Sequence, residues 1–348
     1  MSPVLVDPFL GAGGFWLRNV GADLVPPVSW MGGKRRLADD LLALLDLRPG
    51  RPVSAILGDA SWWGWVWPTC LHPTTGPQVS ETLRSWRDED ARALWFRLRD
   101  AGPMEERAEA AAQLLWLQAR AASGVPVWWE GDEVAAPGDG RSRQRAADRG
   151  SNGTAAVLDQ DRGWKSETCE SRRLFTATQG SADEVKEDRR ERRAPLIQWA
   201  STKIDGAGQK GTAHGRPGGI VDPGTIANRI DAIRALVRDV AVYNIDATDL
   251  TVQFAPLCGT RARVYLDPPY QGATGYPKTC DRQTVLCIAD TWARHGARVV
   301  LSEAVGLASD LGRGWAQVQL RTGKKEEWVT VYGCDIRAVL PPILRGCA

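Results

Sequence analysis

Val264-Tyr265-Leu266-Asp267-Pro268-Pro269-Tyr270 is a short apolar run that stops on a carboxylate and two prolines. β-Branched and aromatic residues in so brief a run read as a buried strand. Proline lacks an N–H and holds φ at about −65°, so Pro268 and Pro269 cannot continue a ladder and the chain must turn there. Asp267 therefore stands at the carboxyl end of a strand, the edge at which open α/β sheets bind their ligands. Outward from this point, strand patterns recur at 53–57, 240–245, 297–301, 316–320 and 328–332. Between them lie helical patterns at 223–237, with Ile226, Ile230, Ile233 and Leu236 on one stripe, and at 282–295. Strand alternating with helix predicts an α/β fold with a largely parallel sheet.

Farther upstream, helical spacing runs over 79–99 and 105–122, with Leu94, Trp95 and Leu98 on one stripe and Leu114, Leu115 and Leu117 on the other. The stretch from about 130 to 215 is rich in Gly, Ser, Arg, Asp and Glu. It holds too few apolar residues to offset its ordering entropy and is expected to be mobile. Residues 1–28 read as an N-terminal leader with a brief strand at 4–6, closed by Pro26-Pro27. The expected division is a catalytic unit from 29–70 and 217–348, with a helical recognition region at 71–216 between its halves.

The 348 residues are 43% hydrophobic, enough for a sizeable core. Lys and Arg number 44 against 42 Asp and Glu, a balance that neither demands nor excludes a polyanionic partner. Seven cysteines occur without a CxxC pair, which argues against zinc and for reduced thiols; no metal is expected. No apolar run approaches the roughly 20 residues that span a bilayer, so a cytoplasmic protein without membrane contact is expected. Most of the 16 tryptophans are expected in the core.

The chemistry of the tetrapeptide follows from its acceptors. An exocyclic amino group on an aromatic ring is a poor nucleophile, because its lone pair is delocalised. The Asp267 carboxylate and the Pro268 carbonyl could both accept from one NH2 and orient that lone pair, with the gain coming from positioning and fixed dipoles. Tyr270 could stack on the ring, which for a base must first leave the duplex. A second segment, Trp30-Met31-Gly32-Gly33-Lys34, opens a helix: its glycines let backbone approach a ligand and Lys34 supplies a cation.

In this order the two segments resemble the Dam-like DNA adenine-N6 methyltransferases, a family marked by Trp-x-Gly-Gly-Lys, an acidic strand end, a target-recognition region and then DPPY. Gly272, Thr274 and Tyr276 after the tetrapeptide are similar to the family's Gly-Thr-Tyr continuation. Leu115 to Arg120 with Ser123-Gly124 look like a degenerate recognition helix, and Ser302-Glu303 and Glu327-Trp328 are similar to later family segments. The resemblance implies a Rossmann-like methyltransferase fold and S-adenosyl-L-methionine as cofactor. It implies double-stranded DNA as partner, and a monomer in a bacterial or phage-infected cell, either restriction-linked or orphan. Asp267, Pro268, Pro269 and Tyr270 would then be catalytic. Trp30, Met31, Gly32, Gly33, Lys34, Asp59, Asp246 and Asp267 would lie around the cofactor.

The family's cofactor loop reads acidic-Pro-Phe-x-Gly-x-Gly, and two segments compete for it. Asp7-Pro8-Phe9-Leu10-Gly11-Ala12-Gly13 has the wording but precedes Trp30, out of family order; Asp59-Ala60-Ser61 has the order but only Gly64 for a glycine. Order and strand context favour Asp59. Asp246 falls where the family keeps an Asp-Phe pair, with Ala247 in place of the aromatic, so stacking would come from Trp30, Trp62, Trp63 or Trp65. Glu303, Lys324-Lys325 and the three histidines are weaker candidates. Methylation of cytosine N4 or of an RNA base, and an inactive DNA-binding relative, are the alternatives.

Overall fold

The computed structural model describes residues 2–28, 34–101, 104–120, 128–130, 133–135, 221–270, 280–322 and 325–339. Trp30 to Gly33, the polar stretch at 136–215, the loop at 271–279 and Lys324 lie outside the described residues.

Seven strands form one mixed sheet: β1 (Val4–Asp7), β2 (Ser54–Gly58), β5 (Val240–Tyr243), β6 (Ala262–Leu266), β7 (Arg298–Glu303), β8 (Trp315–Thr322) and β9 (Lys325–Tyr332). A separate small hairpin pairs β3 (Trp128–Glu130) with β4 (Glu133–Ala135). The order across the sheet is β5-β2-β1-β6-β7-β9-β8. The first five run parallel; β9 enters antiparallel to β7, and β8 antiparallel to β9. The expected α/β class with a mostly parallel sheet is what the chain adopts.

The leader expected at 1–28 is corrected by this topology. β1 is a central strand, paired with β2 through Val6↔Ile56 and with β6 through Val6↔Val264. Its run of apolar residues is brief because both faces and both edges are covered within a few residues; Leu5 and Val6 are 1% and 0% exposed. Brevity at the N-terminus reads as a frayed end only while the partner strands are unknown.

Alternate residues supply two apolar layers. Leu5, Tyr265 and Val300 face α1 (Trp16–Val20), α2 (Ala38–Leu44), α3 (Trp63–Leu71) and the later helix at 223–236. Val6, Val264, Leu266, Val299 and Leu301 face the helices at 247–258 and 282–294. α4 (Thr75–Ser85), α5 (Ala91–Asp100) and α6 (Arg107–Arg120) continue the first layer outward, with Leu83, Leu98 and Leu115 in the same cluster. The single helix expected over 79–99 is two, because Asp90 accepts from Ala93 N–H at 2.8 Å and starts a new helix. The same device opens α7 (Pro223–Leu236), where Asp222 accepts from Thr225 N–H at 2.9 Å and Pro223 fills the first turn. It recurs at α8 (Ala247–Cys258), through Asp246 and Thr248 at 2.9 Å, and at α9 (Arg282–Arg294), through Asp281 and Thr284 at 2.9 Å.

From β1 the chain moves to β2 and then β5 on one side; from β6 it moves to β7 on the other. The gap between the carboxyl ends of β1 and β6 is therefore the switch point of the sheet, where the flanking connections diverge and leave a crevice. Leu5→Ala should cost about 2–5 kcal/mol in urea denaturation, the range for a large apolar side chain lost from a core. A chain lacking residues 1–9 should show no cooperative thermal transition by circular dichroism; a dispensable leader would leave the melting curve unchanged.

Candidate functional site

Two segments meet at the switch point. The first leaves β1 as Asp7-Pro8-Phe9-Leu10-Gly11-Ala12-Gly13; the second leaves β6 as Asp267-Pro268-Pro269-Tyr270. Gly11 and Gly13 take positive φ of 50° and 75°, a region that L side chains avoid. A Cβ on Gly13 would stand 2.3 Å from Trp16 Nε1, so the loop can pack this tightly only without a side chain. Asp59, just past β2, holds the loop by its amide: its Oδ2 accepts from Gly11 N–H at 2.7 Å. Trp67 holds it by its carbonyl, donating from Nε1 to Gly11 O at 2.9 Å. Phe15 then packs on Tyr265 of β6 with ring centroids 4.2 Å apart, tying the loop to the neighbouring strand.

The Asp7 and Asp59 segments lie side by side and differ in what they do in the fold. The glycine turn belongs to β1, whereas Asp59 on the adjacent strand end is its brace. Both oxygens of Asp59 are engaged by the chain, Oδ1 accepting from Ser61 N–H at 2.8 Å and from the Ser61 hydroxyl. Burial pushes the Asp59 carboxyl up, and the bonds from Ser61 and Gly11 pull it back. Asp7 is 2% exposed; burial raises its carboxyl well above the usual range, the Phe9 N–H opposes this, and Asp267 and Asp59 add repulsion.

On the other side of the crevice a buried ammonium organises the acids. Lys34 Nζ lies 2.7 Å from Asp267 Oδ1 and 3.2 Å from Glu327 Oε1, and 4.8 Å from the centroid of the Tyr270 ring. The Tyr270 hydroxyl donates to Glu327 Oε1 at 2.5 Å. Lys34 is 7% exposed. Burial alone would lower its pKa, but the attraction of Asp267 and Glu327 wins and the ammonium is held above its ordinary value. Asp267 is pushed up to about 6: burial is the largest cause, Lys34 opposes it, and Glu327 and Glu303 add to it. Burial also raises the Tyr270 and Tyr265 hydroxyls, so both stay protonated at neutral pH.

Asp267, Tyr270 and Lys34 are thus brought together, although they were read from segments more than 200 positions apart. Pro268 is buried and Pro269 half-buried beside them. Trp30, Met31, Gly32 and Gly33 lie outside the described residues. Asp246 sits past β5, two strands from β1, and caps its own helix. Trp62 and Trp63 are corrected as stacking candidates for a ligand: they are 5% and 0% exposed and stack on each other at 4.1 Å. Leu115, Trp116 and Leu117 are buried in α6 as core. Glu303 ends β7 and accepts from Ala304 N–H at 2.6 Å.

Two residues carry more than their sequence signal suggested. Asp7 stands out of family order on a brief strand, and both features weigh against it in the sequence. Glu327 was noted only as a likeness; its alternation with Val329 and Val331 places it on the α2 side of the sheet, but nothing local says that Lys34 and Tyr270 face it. A groove of about 570 Å³ at the opposite end of the sheet, lined by Val4, Ile56, Ala241, Phe254 and Leu257 among others, includes none of these residues. Among the described residues there is no group of three or more His, Cys, Asp or Glu that could hold a metal ion, and no helix long and apolar enough to cross a membrane. Compared with known families and with curated proteins, the chain matches no family model and no curated sequence.

Asp59→Ala strands the Gly11 N–H and the Ser61 donors, and should cost about 1–3 kcal/mol in urea denaturation, the range for buried donors left unpaired. Faster hydrogen exchange at the Gly11 amide would accompany it; unchanged exchange there would show that Asp59 does not brace the loop.

Proposed function

We propose that this protein transfers a methyl group from S-adenosyl-L-methionine to the exocyclic amino group of adenine in double-stranded DNA. The observation that carries the reading is the meeting of Asp267-Pro268-Pro269-Tyr270 with a braced glycine turn at the switch point of the sheet. One side offers acceptors and an aromatic ring; the other offers a tight glycine turn, braced by Asp59, at the end of a central strand.

The donor set fits the cofactor. Asp7 and Asp267 end neighbouring central strands beside the glycine turn and suit the cofactor's ammonium and ribose hydroxyls, while Asp59, with both oxygens engaged, holds the turn in place. When bound, S-adenosyl-L-methionine supplies an electrophilic methyl group on a sulfonium centre. Lys34 occupies Asp267 Oδ1, and Oδ2 accepts from none of the described residues, which leaves it to take a hydrogen bond from the amino group. The Pro268 carbonyl is the second acceptor in this reading. Two acceptors on one NH2 turn the nitrogen lone pair out of the ring plane and fix its direction.

Lys34 lies over one face of the Tyr270 ring, and in this reading the base would stack on the other. One ammonium against the Asp267 and Glu327 carboxylates gives the slot a surplus of negative charge, which favours positive charge arriving on the nitrogen. The proton released from that nitrogen passes to Asp267 Oδ2, a better base than an ordinary carboxylate because burial raises it to about 6, and from there to water. Exposed Arg35 and Arg36 beside Lys34, with Arg229 near enough to feel the Arg35 charge, suit a phosphate backbone at the mouth of the site.

Incubation with methyl-tritiated cofactor and adenine-containing duplex should label N6-methyladenine, and Asp267→Ala should lower the rate by about 10²–10³ or more, the scale of a lost transition-state acceptor. Label confined to cytosine N4 or to RNA would move the reading to those acceptors; DNA binding with no cofactor binding by calorimetry would favour the inactive relative. The sign of the pH effect follows from the need for a carboxylate. kcat/KM should rise with pH through about 6 and level above it, since that profile reports the free enzyme's groups.

A further inference from the structure

Glu327 is the acid that neutralisation of Lys34 does not require. Asp267 alone balances that ammonium at 2.7 Å, and Glu303 and Asp7 already add negative charge around Asp267. A further carboxylate, 15% exposed and 3.2 Å from the same nitrogen, works against ionisation of Asp267. What it adds is geometry. One oxygen, Oε1, accepts from the Tyr270 hydroxyl at 2.5 Å and lies against Lys34 at the same time, so the far end of the ring and the cation over its face share a single anchor. The anchor is rigid because it comes from a strand. β9 runs antiparallel to β7, with Trp328 opposite Glu303, so its beginning reaches the edge at which β1 and β6 end. Val329 and Val331 bury the same face of β9 and fix which way Glu327 points.

We propose that Glu327 is a positioning residue for the transfer: through its shared oxygen it sets the Tyr270 ring and the Lys34 ammonium against Asp267, and so fixes the width of the slot that admits the base. The assignment rests on the amino-methylation reading for its purpose, but its physical content lies in the free protein. The groups that face Asp267 are Lys34, Glu327, Glu303, Asp7, Tyr265 and Tyr270. Of these, Glu327 contacts both of the groups that set the slot.

Two variants separate anchoring from charge. Glu327→Gln keeps the size and an acceptor oxygen for Tyr270 but removes the charge; Glu327→Ala removes both. Losing the charge takes a repulsive neighbour from Asp267 and a competing carboxylate from Lys34, and both effects lower the Asp267 pKa. Carbon-13 titration of Asp267 in the free protein should therefore move to lower pH in both variants, with the acid limb of kcat/KM moving alike. Ring flipping of labelled Tyr270 should stay slow in Glu327→Gln and become fast in Glu327→Ala. KM for duplex should stay near wild type in the first and rise roughly tenfold in the second, the size of a lost hydrogen bond to a charged acceptor. An Asp267 titration unmoved in Glu327→Gln, or a Tyr270 ring equally slow in both variants, would overturn the assignment. Absence of methyl transfer by the wild-type protein would sink the functional reading instead, and the titration and ring flipping would still decide the role of Glu327.

Discussion

The insertion of β1 between β2 and β6 is the constraint on which the rest of this molecule depends. Parallel strands end at one edge, so three neighbours ending in acids must present Asp7, Asp59 and Asp267 side by side. Carboxylates crowded in this way and shielded from water repel and are poorly solvated, and the fold has to answer for each of them. Asp59 is answered by Gly11 and Ser61, Asp7 by the Phe9 amide, and Asp267 by Lys34. These answers hold the glycine turn, the Asp-Pro-Pro-Tyr segment and the start of the α2 region in register with one another.

The aromatic richness of the chain serves the same edge. Trp16 and Trp67 meet edge to face at 5.5 Å, and Trp63 stacks on Trp67 at 5.9 Å beneath the glycine turn. Large flat side chains fill the space between turn and helices without polar demands, apart from indole N–H groups such as that of Trp67, which is spent on Gly11. The turn is therefore held stiffly from below.

Lys34 gives the site its electrostatic character. A cation 7% exposed between two carboxylates is kept charged by them, and it keeps Asp267 within reach of ionisation near neutrality despite burial. Removing any one member would change the field at the others, so the cluster behaves as one unit and not as a set of separable contacts.

The α/β class and the strand that ends at Asp267 are legible in the sequence alone, because each rests on local physics: apolar periodicity and proline stops. The helix starts at Pro223 and Arg282 are legible too; the Asp222 and Asp281 caps that set them are seen in the structure, where capping is a matter of three residues. Only the tertiary structure decided that a strand as brief as Val4–Asp7 is central, since a strand's weight depends on its partners and these are 50 and 258 positions away at Ser54 and Ala262. Only it decided that Asp59 braces the Asp7 loop, that Trp62 and Trp63 belong to the core, and that Glu327 joins Lys34 and Tyr270. Such pairings are set by the order of strands across the sheet, which no local pattern encodes, because hydrogen bonding between parallel strands constrains direction and register but leaves the choice of neighbour to the packing of the whole chain.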